Sequence, residues 1–395
     1  MNKYNKTICA CFVGYVIQAI INNFAPILFL TFQKTYGISL KGISLLITIN
    51  FCTQLLIDIP SSKIIEKIGA RATVLIAHTA SALGLICLSF LPDILPNSYL
   101  GLVISVILYA IGSGIIEVIL SPLVEACPTK NKEGTMSLLH SFYCWGHVGV
   151  VLLSTIFFAI FGLKNWRILS VLWAVIPIVN GLFFIRLPLP SLEPDGKKGL
   201  SLSELFKSKI FWIFFLMMLC SGASEMGVVQ WASAFAEKAL GMPKSIGDLA
   251  GPLSFAVLMG ISRIFFAKFS EKISLDRYIT GSAVLCIISY LMASLSKNPV
   301  FSFVGCALCG LSVGIMWPGT LSLCAANIKR GGTIMFALLA LAGDIGCSTG
   351  PTLIGLVSNA ASGNMKTGIL VATIFPLLLF FSLILNKFAK KRIEQ

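Results

Sequence analysis

Runs of about 20 predominantly apolar residues recur from one end of this chain to the other, and each can cross the roughly 30 Å of hydrocarbon in a bilayer. Such a segment has to satisfy its own backbone in lipid, so the chain is expected to fold as membrane-spanning helices. The composition agrees: 56% of the 395 residues are hydrophobic and 12% are charged, with a mean hydropathy of +0.91. A soluble domain carries about 25% charged residues. A soluble globule, a disordered chain and a disulfide-stapled mini-protein are excluded together.

Twelve spans are expected, near 8–32, 43–62, 72–91, 99–126, 135–161, 167–187, 209–236, 248–267, 278–295, 300–327, 333–358 and 366–387. Lys3 and Lys6 precede the first apolar run in the manner of a signal peptide. That run extends from Ile8 to Phe32, too long for a signal core, so it reads as a retained first helix.

The formal charge of +14 reports topology. The even-numbered connections and the two termini hold 21 of the 30 Lys and Arg residues, the odd-numbered connections hold eight, and Arg263 lies inside the eighth span. The excess places both termini in the cytoplasm of a cell (inner) membrane and removes nucleic acid as a partner. The twelve cysteines are scattered through apolar segments. The Cys306–Cys309 pair has no second pair and no nearby His, so no metal and no cofactor is expected.

The longest connection, 188–208, divides the spans six and six. It carries Pro188, Pro190, Pro194, Lys197 and Lys198, then Ser201 and Glu204 in capping-box spacing. The expected organisation is a six-helix bundle over 1–187, a cytoplasmic linker over 188–208 and a second bundle over 209–395. The halves also repeat: Lys63, Glu66, Lys67 and Ile68 recur, shifted by 205, as Lys268, Glu271, Lys272 and Ile273. Gly112, Gly114 and Glu117 in the fourth span meet Gly310, Gly314 and Trp317 in the tenth. Two parallel repeats in one membrane imply a carrier that rocks its halves about a midplane site.

These features resemble the major facilitator superfamily along essentially the whole chain. The superfamily signature after the second span is matched here by Ser62, Glu66, Lys67, Gly69 and Arg71. Its echo uses Ala267, Glu271, Lys272 and Ser274, preceded by Arg263. The resemblance implies that these charges latch the cytoplasmic ends in one state of the cycle. Within the superfamily, Asn22-Asn23, the stretch from Gly112 through Glu117 to Pro122, and Gly314-Ile-Met-Trp-Pro318 resemble the fucose:proton symporter group. That likeness implies a proton-coupling role for Glu117. Where the group has a second coupling acid in span one, this chain has Pro26.

Ionisable groups deep in membrane helices are costly and usually functional. Glu117 shares one face with Ser113, Ser121 and Glu125 at four-residue steps, a face expected to line a cavity. Span seven places Ser221, Ser224, Glu225 and Trp231 on one arc. Asp344 lies mid-span among Gly343, Gly346 and Gly350. Glu117, Glu225 and Asp344 are the expected proton-coupling acids. Gln18, Asn22, Asn50, Gln54, His147, Glu225, Trp231 and Trp317 are the expected solute contacts. Asp58, Glu66, Lys67, Arg71, Arg263, Glu271 and Lys272 are the expected cytoplasmic gate. His140 and His147 share a face of span five and suit either a proton relay or packing.

Secondary transport of a sugar or polyol with protons is the leading reading. Proton-coupled efflux of organic cations or drugs is the alternative, since three central acids suit a cation equally. No phosphate-binding loop, paired-aspartate or zinc-spaced histidine motif is present, so neither a pump nor an intramembrane enzyme is expected. The expected partners are solute, protons and lipid, with the chain acting as a monomer.

Overall fold

The computed structural model describes residues 3–38, 40–192, 199–240 and 244–394. Pro194, Lys197 and Lys198 of the linker lie outside the described residues. Among those described there are fifteen α-helices and no strand. In chain order they are α1 Asn5–Ile27, α2 Phe29–Tyr36, α3 Leu40–Ile94, α4 Ser98–Ala126, α5 Lys132–Phe161, α6 Trp166–Arg186, α7 Leu202–Lys207 and α8 Lys209–Leu240. There follow α9 Lys244–Phe269, α10 Leu275–Leu295, α11 Pro299–Val313, α12 Met316–Asn327, α13 Gly332–Ala360, α14 Met365–Ala372 and α15 Ile374–Glu394. Ten helical stretches among the described residues are long and apolar enough to cross a membrane. The expected spans 43–62 and 248–267 are helical too, but include side chains outside the described set.

Asparagine side chains cap four of these helices, α5 among them, where Asn131 accepts from the Gly134 amide at 2.8 Å. Asn97 accepts from the Tyr99 and Leu100 amides, Asn298 from Val300 and Asn364 from Lys366, each filling orphan donors of a first turn. The expected capping box forms at α7: Ser201 accepts from the Glu204 amide, and the Glu204 carboxylate accepts from the Ser201 amide at 2.7 Å. That backbone bond holds the Glu204 carboxyl below its ordinary range. α3 is two helices meeting at Gly69, whose φ of 82° is accessible to glycine and strained for other residues.

The expected spans 8–32, 300–327 and 366–387 are helical but interrupted, at Leu28, at Gly314–Ile315 and at Thr373. Proline supplies the reason. Pro318 and Pro376 lack the N–H that would bond the carbonyls of Gly314 and Ala372 four residues earlier, and the first break follows Pro26.

The side chains are patterned for a lipid surround. On α6, nine large apolar side chains from Ile168 to Ile185 are exposed, while Ser170, Asn180 and Gly181 are buried. Water would penalise that arrangement. In lipid it is favourable, because small and polar residues supply close packing and interhelical hydrogen bonds.

The chain divides into two compact units, Met1–Pro128 with Phe142–Lys197, and Thr129–Ser141 with Lys198–Gln395. The first turns of α5 therefore group with the second unit. In the first unit His78, buried on α3, meets the Asn180 amide of α6 at 2.9 Å, and Asn180 also donates to the Ala10 carbonyl of α1 at 3.0 Å. At the end of this unit where α2 stops, Arg167 grips Asp93 with two bonds of 2.8 and 2.9 Å and donates to Tyr36. Burial, reinforced by Asp93, pushes the Tyr36 hydroxyl up to about 12, so it remains a donor to that carboxylate.

Arg71 holds the opposite end of α6. Its guanidinium donates to the carbonyls of Phe184 (2.7 Å), Ile185 and Leu187 (2.9 Å), the groups a helix C-terminus leaves unpaired. Arg71→Gln is expected to lose this cap at a cost of about 1–2 kcal/mol, discounted for exposure. The thermal midpoint should fall by roughly 1–3 °C; an unchanged midpoint would show that the cap contributes nothing.

Candidate functional site

In the first unit a ladder of polar side chains joins α1, α3 and α4. Asn22 accepts from Asn50 at 3.2 Å and from Gln54 at 3.0 Å. Gln54 accepts in turn from Ser113 at 2.9 Å. One turn along α4, the Glu117 carboxylate accepts from Gln18 Nε2 at 2.7 Å, and a further turn on Ser121 pairs with the Tyr15 hydroxyl at 2.9 Å. The four-residue stripe on α4 thus meets a partner at each of these steps. The geometry is made possible by Gly114: a Cβ there would lie 2.2 Å from the Ile57 side chain and 3.2 Å from the Gln54 backbone. Glycine lets α4 approach α3 closely enough for Gln54 to span the gap.

The second unit holds a different arrangement. Glu225 on α8 and Arg263 on α9 are both buried and form an ion pair at 3.4 Å. Arg263 also donates through Nε to the Gly314 carbonyl at 2.7 Å and through Nη1 to the His140 carbonyl at 2.8 Å. The Arg263 carbonyl accepts from Ser137 at 2.8 Å. Gly314 packs as Gly114 does: a Cβ there would lie 2.8 Å from the Met259 carbonyl and 2.7 Å from Ser262.

Trp317 is buried with its indole against Gly343, where a Cβ would lie 2.1 Å from the ring. Asp344, the next residue, is half-buried. Trp231 donates its indole N–H to the Pro351 carbonyl at 2.9 Å, so that donor is already engaged within the unit.

The structure therefore brings Gln18 together with Glu117, Asn22 with Asn50 and Gln54, and Trp317 with the Asp344 turn. His147 is half-buried on α5, and Asp58 is fully buried on α3. Glu66, Lys67, Glu271 and Lys272 are exposed. Arg263 stands apart from that group, at 3% exposure, among Glu225 and backbone carbonyls. Its position one helical turn before Ala267 gave no sign of this burial. Tyr15, His78 and Asn180 were not singled out from sequence. Their partners lie 106, 102 and 170 residues away, and only folding reveals them.

The model of the Major Facilitator Superfamily matches residues 8–351. No curated protein matches the chain. Among solved structures, the E. coli fucose:proton symporter FucP superposes with a TM-score of 0.83 at 17% identity, covering 98% of this chain and 99% of that one. FucP in the outward conformation gives 0.84, with the same identity and coverage. The proton:xylose symporter XylE bound to 6-bromo-6-deoxy-D-glucose gives 0.78 at 12% identity, covering 95% of this chain and 94% of that one. At these identities the likeness is one of fold.

Proposed function

The chain belongs to the major facilitator superfamily of transporters, and on that premise we propose that it carries a small polar solute, a sugar or polyol, across the membrane together with protons by alternating access. The observation that carries this reading is the ladder in the first unit. Neutral amides at Asn22, Asn50 and Gln54 and the Ser113 hydroxyl form one bonded group, and one turn along α4 a single acid, Glu117, accepts from the Gln18 amide. Amides offer a donor and an acceptor at once, which suits the hydroxyls of an uncharged polyol. Glu117 carries the proton, and Asp344 and Glu225 are further members of the coupling set.

The same reading assigns twelve spans in two six-helix repeats, limits of 1–187 and 209–395 for the halves, and cytoplasmic termini in the cell's inner membrane. The similar seating of Gly114 on 54–57 and Gly314 on 259–262 supports the repeat: the two seats are related by the 205-residue shift, and the glycines themselves by 200. Glu66, Lys67, Arg71, Glu271 and Lys272 form the cytoplasmic gate, with Asp58 behind it.

Efflux of organic cations is the competing reading, and it draws on Asp344, the neighbour of the Gly343 that meets the Trp317 ring, since a carboxylate and an aromatic ring suit a cation. Against it, Glu225 is offset by Arg263. Purified protein in proteoliposomes, given an imposed proton gradient, separates the two. Gradient-driven accumulation of a labelled sugar or polyol is expected. Movement of cationic dyes with none of the sugars would replace the proposal with efflux.

A further inference from the structure

Span ten breaks where it does because Pro318 cannot donate to the carbonyl of Gly314. In hydrocarbon an unmet carbonyl costs several kcal/mol. The structure meets it from outside the helix: Arg263 Nε donates to that oxygen at 2.7 Å. The approach depends on Gly314, whose missing side chain lets the broken backbone rest on α9 at Met259, one turn before Arg263, and at the adjacent Ser262. The rest of the guanidinium is held by the His140 carbonyl at 2.8 Å and the Glu225 carboxylate at 3.4 Å. Two phenols also border this region, Tyr278 sharing a bond with Ser262 at 3.1 Å and Tyr290 donating to the Ser224 carbonyl at 2.8 Å.

We propose that Arg263 is the positioning residue of span ten: its guanidinium replaces the N–H that Pro318 lacks, and the charge on Glu225 sets how firmly it stays there. Trp317 sits three residues past the bonded carbonyl, with its ring on Gly343. The break, the indole and the turn bearing Asp344 are thereby tied to one carboxylate on α8. When Glu225 loses its charge the guanidinium loses its ionic anchor, and the start of α12 loosens. This gives Arg263 a task inside the second unit, separate from the exposed gate charges. Its consequence for solute movement rests on the transport reading above; the bond itself does not.

The test is amide exchange of the α12 start, residues 315–320, in the full-length protein in nanodiscs. Glu225→Gln is expected to speed exchange there about two- to fivefold, since a neutral amide holds the guanidinium less well than a carboxylate. Replacing the charges together, Arg263→Met with Glu225→Gln, removes the bond to Gly314 without leaving a lone buried ion. A hydrogen bond to a charged group is worth about 1.5–3 kcal/mol, so exchange should rise about tenfold or more. Adding Pro318→Ala restores an N–H four residues beyond Gly314 and should return exchange to within about threefold of the parent. If the double variant does not reach the membrane, the triple variant is expected to reach it.

Parent-like exchange in the double variant overturns the proposal. So does a triple variant that is neither slowed nor rescued. The readout needs no solute: a failed exchange experiment beside proton-driven sugar uptake removes this role of Arg263 alone, and the reverse result removes the transport reading alone.

Discussion

Glu117→Gln is expected to abolish gradient-driven accumulation while leaving solute binding and counterflow within about threefold of the parent. The geometry makes this substitution specific. Glu117 accepts from Gln18 Nε2 at 2.7 Å, and a glutamine oxygen in the same place accepts the same bond. Shape and the bond from Gln18 survive, while the capacity to bind and release a proton is lost. One pH unit is worth about 1.4 kcal/mol per proton, which sustains about tenfold accumulation for each proton moved per solute. A gradient of two units therefore sustains about 100-fold accumulation in the parent, and the variant should fall to equilibration. Labelled-solute uptake into proteoliposomes at imposed gradients measures this directly. Full accumulation by the variant, with the parent's pH dependence, would move the coupling role to Glu225 or Asp344.

The polar stripe on α4 was legible in the sequence because its spacing is local. Ser113, Glu117 and Ser121 recur every four residues in an apolar run, and lipid cannot satisfy that face. Which groups would answer it was not legible. Gln54, Gln18 and Tyr15 lie 59 to 106 residues earlier and come together only when the helices pack. Ten apolar stretches among the described residues were readable for a similar reason, since length and hydropathy are properties of a single segment.

Helix breaks were half legible. Every proline removes one N–H, yet Pro122 and Pro351 lie inside unbroken helices while Pro318 and Pro376 follow breaks. The difference depends on what lies near the freed carbonyl. At Gly314 that is a guanidinium from another helix. Arg263 shows the limit most clearly. Its sequence position, shifted by 205, corresponds to Asp58, and both side chains are buried although their charges are opposite. The echo of the loop signature drew Arg263 toward the exposed charges beyond Ala267, and packing drew it one turn deeper. Arg71, a gate charge by the signature, also caps α6 within the first unit. Both arginines bond backbone carbonyls, which carry no sequence signal.

Gly346→Val is expected to prevent α8 and α13 from packing and to lower the thermal midpoint by roughly 4 °C or more. A Cβ at Gly346 would lie 2.0 Å from the Leu219 carbonyl and 2.9 Å from the Ala223 amide, and backbone cannot step aside as a side chain can. The contact is reciprocal and repeated: a Cβ on Gly222 would meet the Gly343 carbonyl at 2.2 Å, and one on Gly350 the Ala223 carbonyl at 2.3 Å. Without a hydrophobic drive between helices in lipid, such backbone contact supplies much of their attraction. Separating them costs on the order of 3 kcal/mol or more. It also displaces what the two helices carry, Glu225 on α8 and, on α13, the Gly343–Asp344 turn beneath Trp317. Gly149→Ala is the matched control, because a Cβ there meets nothing within 4 Å, and its midpoint should stay within about 2 °C of the parent. Thermal unfolding of the purified variants decides the matter: a Gly346→Val midpoint indistinguishable from the control would mean that α8 and α13 are not held together by their glycines.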